Sequence, residues 1–521
     1  MELKFNFFLK SYSRALPFLI AMIMITVIAT PKLALAETVF CKNFAKEFLA
    51  MADRNPSRSR GLGHDNDASS DTFAIADRDR LLYEWYDKFH NEQSKHSAWS
   101  VTKTVTALLV GVAVMEGRLT LDTKVESIVP LNPELIPDND NENENKNENY
   151  EANYSQLTIR DLLTMSSGFD WRENGVDPIW NLSILRMLYL TRTKDAGQEV
   201  LSHPFVKKRW NYSSGDFVLL ALILKKIYKH QPRYPWVLLF DPLHMDSVTF
   251  EQDATGTYLG GSGLFLSTRD MLKLGQLILK RGVWEGKQVV PEWWINFMGS
   301  VSVSAGDIDN KYWSSGVYGG GLWTNHSLPS LSPRLPSMPS STLLATGIAG
   351  QYLVILPEYD LVVVRTGHDQ LHEVNIDQLV KSSVDCFGKR AHSTEREAPR
   401  DQADESINSM LASRPTAAKE ALFAIKSGLL TKMMAKELCS CHFVVGLPLH
   451  ECRLRSIFPP ALSKIVKTVK VTDYSRGEAL PIYKIKIAPT VLSYLTIVAK
   501  SPAAYARYYP EDPEKGCHLW R

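Results

Sequence analysis

A serine and a lysine three positions apart, Ser100 and Lys103, are the residues of this 521-residue chain best placed to do chemistry. They lie in HSAWSVTKTVTALLVGVAVMEG, His96 to Gly117, where Val101, Val105, Leu108, Leu109 and Val112 recur at helical spacing and predict a helix running into the core. On a helix, positions i and i+3 share a face, so the amine can reach the hydroxyl. A serine hydroxyl is a weak nucleophile until a neighbouring base takes its proton, and a lysine becomes that base once burial or another cation depresses its pKa. The first turn of a helix adds backbone N–H groups and the positive end of the dipole, which favour negative charge developing on a substrate oxygen. The plainer alternative is a capping serine and a lysine that snorkels to water. S-x-x-K occurs once in the chain.

The surrounding sequence supplies elements to hold such a pair. Upstream, TFAIADRDRLLYEWYDKF reads as two strands joined by a turn at Asp77 to Asp79. From residue 61 to 390 helical and strand patterns alternate, with turn signals at GGSG and YGGG. One acidic, polar stretch from Pro137 to Tyr154 has little to bury and reads as a disordered surface insertion. Residues 391–416 have the charged, proline-containing composition of a linker. Beyond it, AAKEALFAIKSGLLTKMMAKELC is an amphipathic helix and KIVKTVKV and IYKIKIA are strand-like, giving a small α+β module over 417–521.

With 59 basic and 57 acidic side chains the net charge is +2, and no basic run is interleaved with aromatics, which argues against a nucleic-acid partner. Residues 1–36 read as a signal peptide: Lys4, Lys10 and Arg14 precede an apolar run from Ala15 to Ala29, and Ala34-Leu35-Ala36 has the small-x-small form of a cleavage site. An uncleaved anchor is the alternative. No later segment is long and apolar enough to span a bilayer, so a periplasmic or secreted location is expected. Six cysteines fit an oxidising compartment. Cys439, Cys441, His442, His450 and Cys452 could be read as a metal site, but C-x-C is too tightly spaced for the usual zinc pair, and disulfides among Cys439, Cys441, Cys452 and Cys517 are the better reading, with their pairing open.

Several segments, taken in order, carry a resemblance. They are the S-x-x-K helix, TIRDLLTMSSGFDW, WNYSSGDFVLLALIL, GGSGLFLSTRDMLKLGQLIL with GVWEGKQVVPEWW, and GIAGQYLVILPEYDLVVVRTG. This succession resembles the penicillin-recognising serine hydrolases: class C β-lactamases, D-alanyl-D-alanine carboxypeptidases, related esterases and 6-aminohexanoate-dimer hydrolases. The resemblance implies an α+β, β-lactamase/transpeptidase-like fold over residues 37–390, an antiparallel sheet flanked by helices plus an all-helical region.

It also implies roles. Ser100 is the nucleophile, Lys103 its base and Tyr212 the proton shuttle to the leaving group. The oxyanion would be held by the backbone N–H of Ser100 and one near Ile348. Ser214 takes the substrate-binding place where class C enzymes keep an asparagine. No cofactor or metal is implied. Because the fold brings the N- and C-terminal helices of the domain together, a Cys41–Cys386 disulfide is expected. Two departures bear on substrate. The segment LLATGIAGQ lacks the cation that binds a substrate carboxylate in β-lactamases and carboxypeptidases, and Arg365-Thr366-Gly367 closes the following strand instead. Both this and Ser214 favour small-molecule esters or linear amides. A β-lactamase or D-alanyl-D-alanine carboxypeptidase acting on cell-wall peptides, and a catalytically silent binding relative, are the alternatives. The chain contains no G-x-S-x-G nucleophile elbow.

Overall fold

The computed structural model describes residues 70–132, 134, 145–173, 182–190, 195–205, 210–302, 316–329, 331–369, 374–389, 429–448, 451–452, 470–473, 482–486, 504–508 and 512–520. The expected signal segment and linker lie outside them. Among the described residues no helix is long and apolar enough to cross a membrane.

A seven-stranded antiparallel sheet is the frame. Its strands are β1 (Ser70–Ala76), β2 (Leu81–Tyr86), β8 (Val317–Tyr318), β9 (Trp323–Thr324), β10 (Leu343–Gly347), β11 (Gln351–Leu356) and β12 (Leu361–Gly367), ordered β2-β1-β12-β11-β10-β9-β8. The β1–β2 hairpin turns where the sequence predicts, between Ala76 and Leu81. β1, β11 and β12 are buried along their whole length. Runs such as QYLVIL and LVVVRTG therefore read as continuous rather than alternating, because both faces are covered. A small second sheet, β3-β5-β4, pairs Lys95–Ser97 with Leu264–Ser267 and Thr249–Phe250. A short hairpin of β6 (Val283–Trp284) and β7 (Lys287–Gln288) follows the GGSG helix.

The helical part is built on α1 (Thr102–Met115), which is buried on every side from Thr102 to Ala113, as a central helix must be. It packs against α3 (Ser214–Ile227). Two amphipathic helices, α4 (Thr268–Leu279) and α5 (Ile376–Phe387), cover the sheet. Gly275 permits the approach of α4, since a Cβ there would lie 2.4 Å from Val362 Cγ1.

The expectation of disorder from Pro137 to Tyr154 is corrected over its second half. Residues Asn145–Gln156 form helix α2. Its anchors are two tyrosines at i and i+4, both buried: Tyr150 donates its hydroxyl to Leu201 O and Tyr154 donates to Val129 O at 2.6 Å. Tyr150 also meets the edge of Phe205 at 4.9 Å. The acidic composition hid a two-residue apolar face, which is enough to dock three turns of helix.

In the C-terminal region, α6 (Leu429–Cys439) and the four-stranded sheet β13-β14-β15-β16 (Lys470–Asp473, Ile482–Lys486, Ala504–Tyr508, Cys517–Trp520) fit the expected α+β composition. Two disulfides staple it, Cys439–Cys517 and Cys441–Cys452. Cys386 is also disulfide-bonded, and its expected partner, Cys41, lies outside the described residues. This region rests on the larger N-terminal part through Glu251, which follows β4 and is buried. Its carboxylate accepts from Lys436 Nζ, from Ser440 Oγ at 3.1 Å and from the Cys517 N–H at 3.4 Å.

Candidate active site

Ser100 does not lie in the first turn of the α-helix, as its spacing from Lys103 suggests. β3 ends at Ser97, a 3₁₀ turn runs from Trp99 to Val101, and α1 begins at Thr102. Trp99 sits at φ 47°, a left-handed conformation that a bulky residue adopts only under external constraint. The constraint is the end of β10. A Cβ on Gly347 would lie 2.4 Å from Ala98 O and 3.1 Å from Trp99 Cβ, so only glycine lets that strand reach the serine turn. The next residue, Ile348, is 60% exposed at the β10–β11 turn, where Ala349 at φ 64° and Gly350 at φ 83° reverse the chain. The serine turn and the Ile348 turn thus abut.

Lys103 is 1% exposed. An ammonium has three donors, and burying it without acceptors is costly. Here Nζ donates to Ser100 Oγ at 3.1 Å, to Ser214 Oγ at 2.7 Å and to Gly261 O at 2.9 Å. The last contact depends on GGSG. A Cβ on Gly261 would lie 2.8 Å from Ser214 O, and one on Gly260 would lie 2.5 Å from Phe217 O. The lysine that enters an apolar helix is therefore neither snorkelling nor unpaired.

A carboxylate that the sequence reading did not single out completes the network. Glu173 Oε1 accepts from Ser214 Oγ at 2.5 Å and lies 4.0 Å from Lys103 Nζ. Oε2 accepts from Ser214 N and from Trp171 Nε1, each at 2.6 Å. Ser214 is thus committed on both sides, to Lys103 and to Glu173, which sets it in the support of the lysine rather than in an open subsite. Below it, Ser213 caps α3 by accepting from the Asp216 N–H at 3.0 Å. Burial pushes the Asp216 carboxyl up to about 8, while hydrogen bonds donated by Ser167 and Ser213 pull the other way. Its Oδ2 is buried without a hydrogen-bond partner, as suits a neutral acid.

Tyr212 immediately precedes this cap and is half-buried. Its ring centroid is 4.8 Å from Lys103 Nζ, a cation–π distance. The ring stacks on Trp323 at 5.8 Å with an interplanar angle of 11° and meets the edge of Tyr318 at 6.2 Å. Arg334 also meets this wall, its guanidinium lying 3.8 Å from the Trp323 ring centroid. Arg365, by contrast, is fully buried. It donates to both carboxylate oxygens of Asp369 at 2.6 and 2.7 Å, to Ser70 Oγ at 3.0 Å and to Gly350 O at 2.9 Å. It braces the sheet end and faces no substrate.

The structure therefore brings Ser100, Lys103, Tyr212 and Ser214 together, with Ile348 at the adjoining turn. The family described as Beta-lactamase matches residues 57–372, well over half the chain and all of these positions. The chain belongs to that family. It is a β-lactamase-fold serine hydrolase. Among characterised relatives, a 6-aminohexanoate-dimer hydrolase of Paenarthrobacter ureafaciens is 23% identical over 325 residues, covering 56% of this chain and 77% of that protein. An uncharacterized protein of Alkalihalophilus pseudofirmus is 22% identical over 290 residues, covering 53% and 74%. Among solved structures, EstCE1, a hydrolase with promiscuous acyltransferase activity, is 15% identical with a TM-score of 0.49 and covers 68% of this chain and 98% of its own.

Proposed function

We propose that the chain is a secreted serine hydrolase that cleaves esters or linear amides through an acyl-enzyme. Ser100 Oγ attacks the carbonyl carbon while Lys103 Nζ takes the hydroxyl proton. The tetrahedral oxyanion rests on the N–H groups of Ser100 and Ile348. Its collapse breaks the bond to the leaving alkoxide or amine, which receives its proton by way of Tyr212. Water then attacks the acyl-serine carbonyl while Lys103 accepts its proton; collapse breaks the bond to Ser100 Oγ, which takes that proton from Lys103, and the carboxylic acid leaves. The observation that carries the reading is the buried Lys103, with Nζ 3.1 Å from Ser100 Oγ and its other donors held by Ser214 and Gly261. A cleft that only bound a ligand would have no use for this arrangement.

The substrate range follows from charge. A β-lactam or D-alanyl peptide presents a carboxylate, and recognising it requires a cation opposite. LLATGIAGQ carries none, and Arg365 is bound to Asp369. The relative named as a 6-aminohexanoate-dimer hydrolase supports the amide side of the range. The test compares kcat/KM for p-nitrophenyl butyrate and for a chromogenic cephalosporin on the chain from Glu37. The ester should be turned over measurably, with the cephalosporin at best acylating slowly. A preference for the cephalosporin would contradict this range and make Arg334 the cation to remove next.

A further inference from the structure

Beside the β3 end of the serine turn, a second cluster has nothing to do with acyl transfer. Asp71 of β1, His90 in the β2–β3 connection and His96 of β3 are all buried. One possible ligand atom from each lies within 4.8 Å of the other two. The two imidazole centroids are 4.7 Å apart. Each of these groups is strongly polar, and a strand, a turn and a second strand have been brought together to bury all three.

One of the two histidines has the outer carboxylate that commonly orients a metal-binding imidazole. Asp87 Oδ1 lies 2.6 Å from His90 Nδ1, which fixes that ring and leaves Nε2 as its ligand nitrogen. His368, which follows β12, places Nδ1 2.7 Å from Asp71 Oδ1. The other oxygen, Asp71 Oδ2, lies 3.9 Å from His96 Nδ1. A cavity of about 90 Å³ opens onto the cluster and is lined also by Ser440 and Leu447 of the C-terminal region. That is room for an ion and a water or two.

Two imidazoles and one carboxylate make a borderline donor set, which suits zinc better than calcium or magnesium. We propose that Asp71, His90 and His96 bind one zinc ion in a site beside the C-terminal region, with water from the cavity as the fourth ligand. Zinc–ligand bonds of about 2.0–2.1 Å put tetrahedral ligand atoms roughly 3.3 Å apart, so binding draws the three groups inward by up to about 1.5 Å. The ion offsets the buried Asp71 charge and ties β1, β3 and their connection together just before Ser100.

The experiment uses the chain from Glu37 to Arg521, dialysed against a chelator and titrated with zinc alone by calorimetry, then reloaded with Co(II). One zinc per chain, a raised melting temperature and the visible d–d bands of tetrahedral Co(II) are expected. Asp71→Asn and His96→Gln should each weaken zinc binding by about a hundredfold or more. Ser100→Ala should bind zinc as the unmodified chain does, which separates this site from the hydrolase reading. X-ray absorption on the zinc-loaded unmodified chain needs no variant to fold: a shell of nitrogen and oxygen with two imidazoles supports the site, and a sulfur ligand overturns it. Failure to bind zinc stoichiometrically, or undiminished binding in both variants, also overturns it.

Discussion

Lys103→Arg is expected to lower kcat/KM for an ester substrate by about a thousandfold or more, because a guanidinium does not give up its proton at any useful pH. The geometry makes the test specific. Lys103 is buried with all three donors matched, and arginine supplies N–H donors in its place but cannot act as a base. The longer side chain must also fit against Gly261, so a melting curve should accompany the kinetics. Where the curve shows a disturbed fold, Lys103→Met reads the same loss with a side chain of similar length. Near-normal turnover in a folded Lys103→Arg protein would remove the lysine from the mechanism.

Glu173→Gln carries the second large effect. The carboxylate holds Ser214 through both its hydroxyl and its N–H, and Ser214 in turn accepts from Lys103. Loss of charge-assisted hydrogen bonds to a buried network should reduce kcat by at least about tenfold. A merely structural residue could do as much, so the decisive readout is a double-mutant cycle with Ser214→Ala. Glu173 reaches Lys103 through Ser214, so the two losses in kcat should be clearly less than additive. Fully additive losses would show that Glu173 does not act on Lys103 by way of Ser214.

How much of this was legible in the sequence depends on distance along the chain. Ser100 and Lys103 are three residues apart, so local periodicity was sufficient to pair them, although the turn itself was misread. Nothing local announces that Trp99 is held in a left-handed conformation, since its cause is Gly347, distant in sequence. Tyr212 and Ser214 came from the resemblance, but the task of Ser214 was hidden because its partner, Glu173, is 41 residues away. The only signal was an acidic residue two positions after a tryptophan in GFDWREN, and tertiary folding alone turns it inward to Trp171 Nε1. The sheet was easier. β1, β2, β11 and β12 are apolar runs bounded by turn residues, and they pair as neighbours. The acidic insertion failed for the opposite reason, because average composition outweighed Tyr150 and Tyr154.

The central claim is that Ser100 carries the acyl group, and covalent labelling tests it most directly. The chain from Glu37 is treated with a fluorophosphonate ester, its intact mass is measured, and the modified peptide is mapped. One adduct per chain on Ser100, absent from Ser100→Ala, is the result expected. An adduct that persists in Ser100→Ala, or no adduct on the folded unmodified protein, would contradict the assignment.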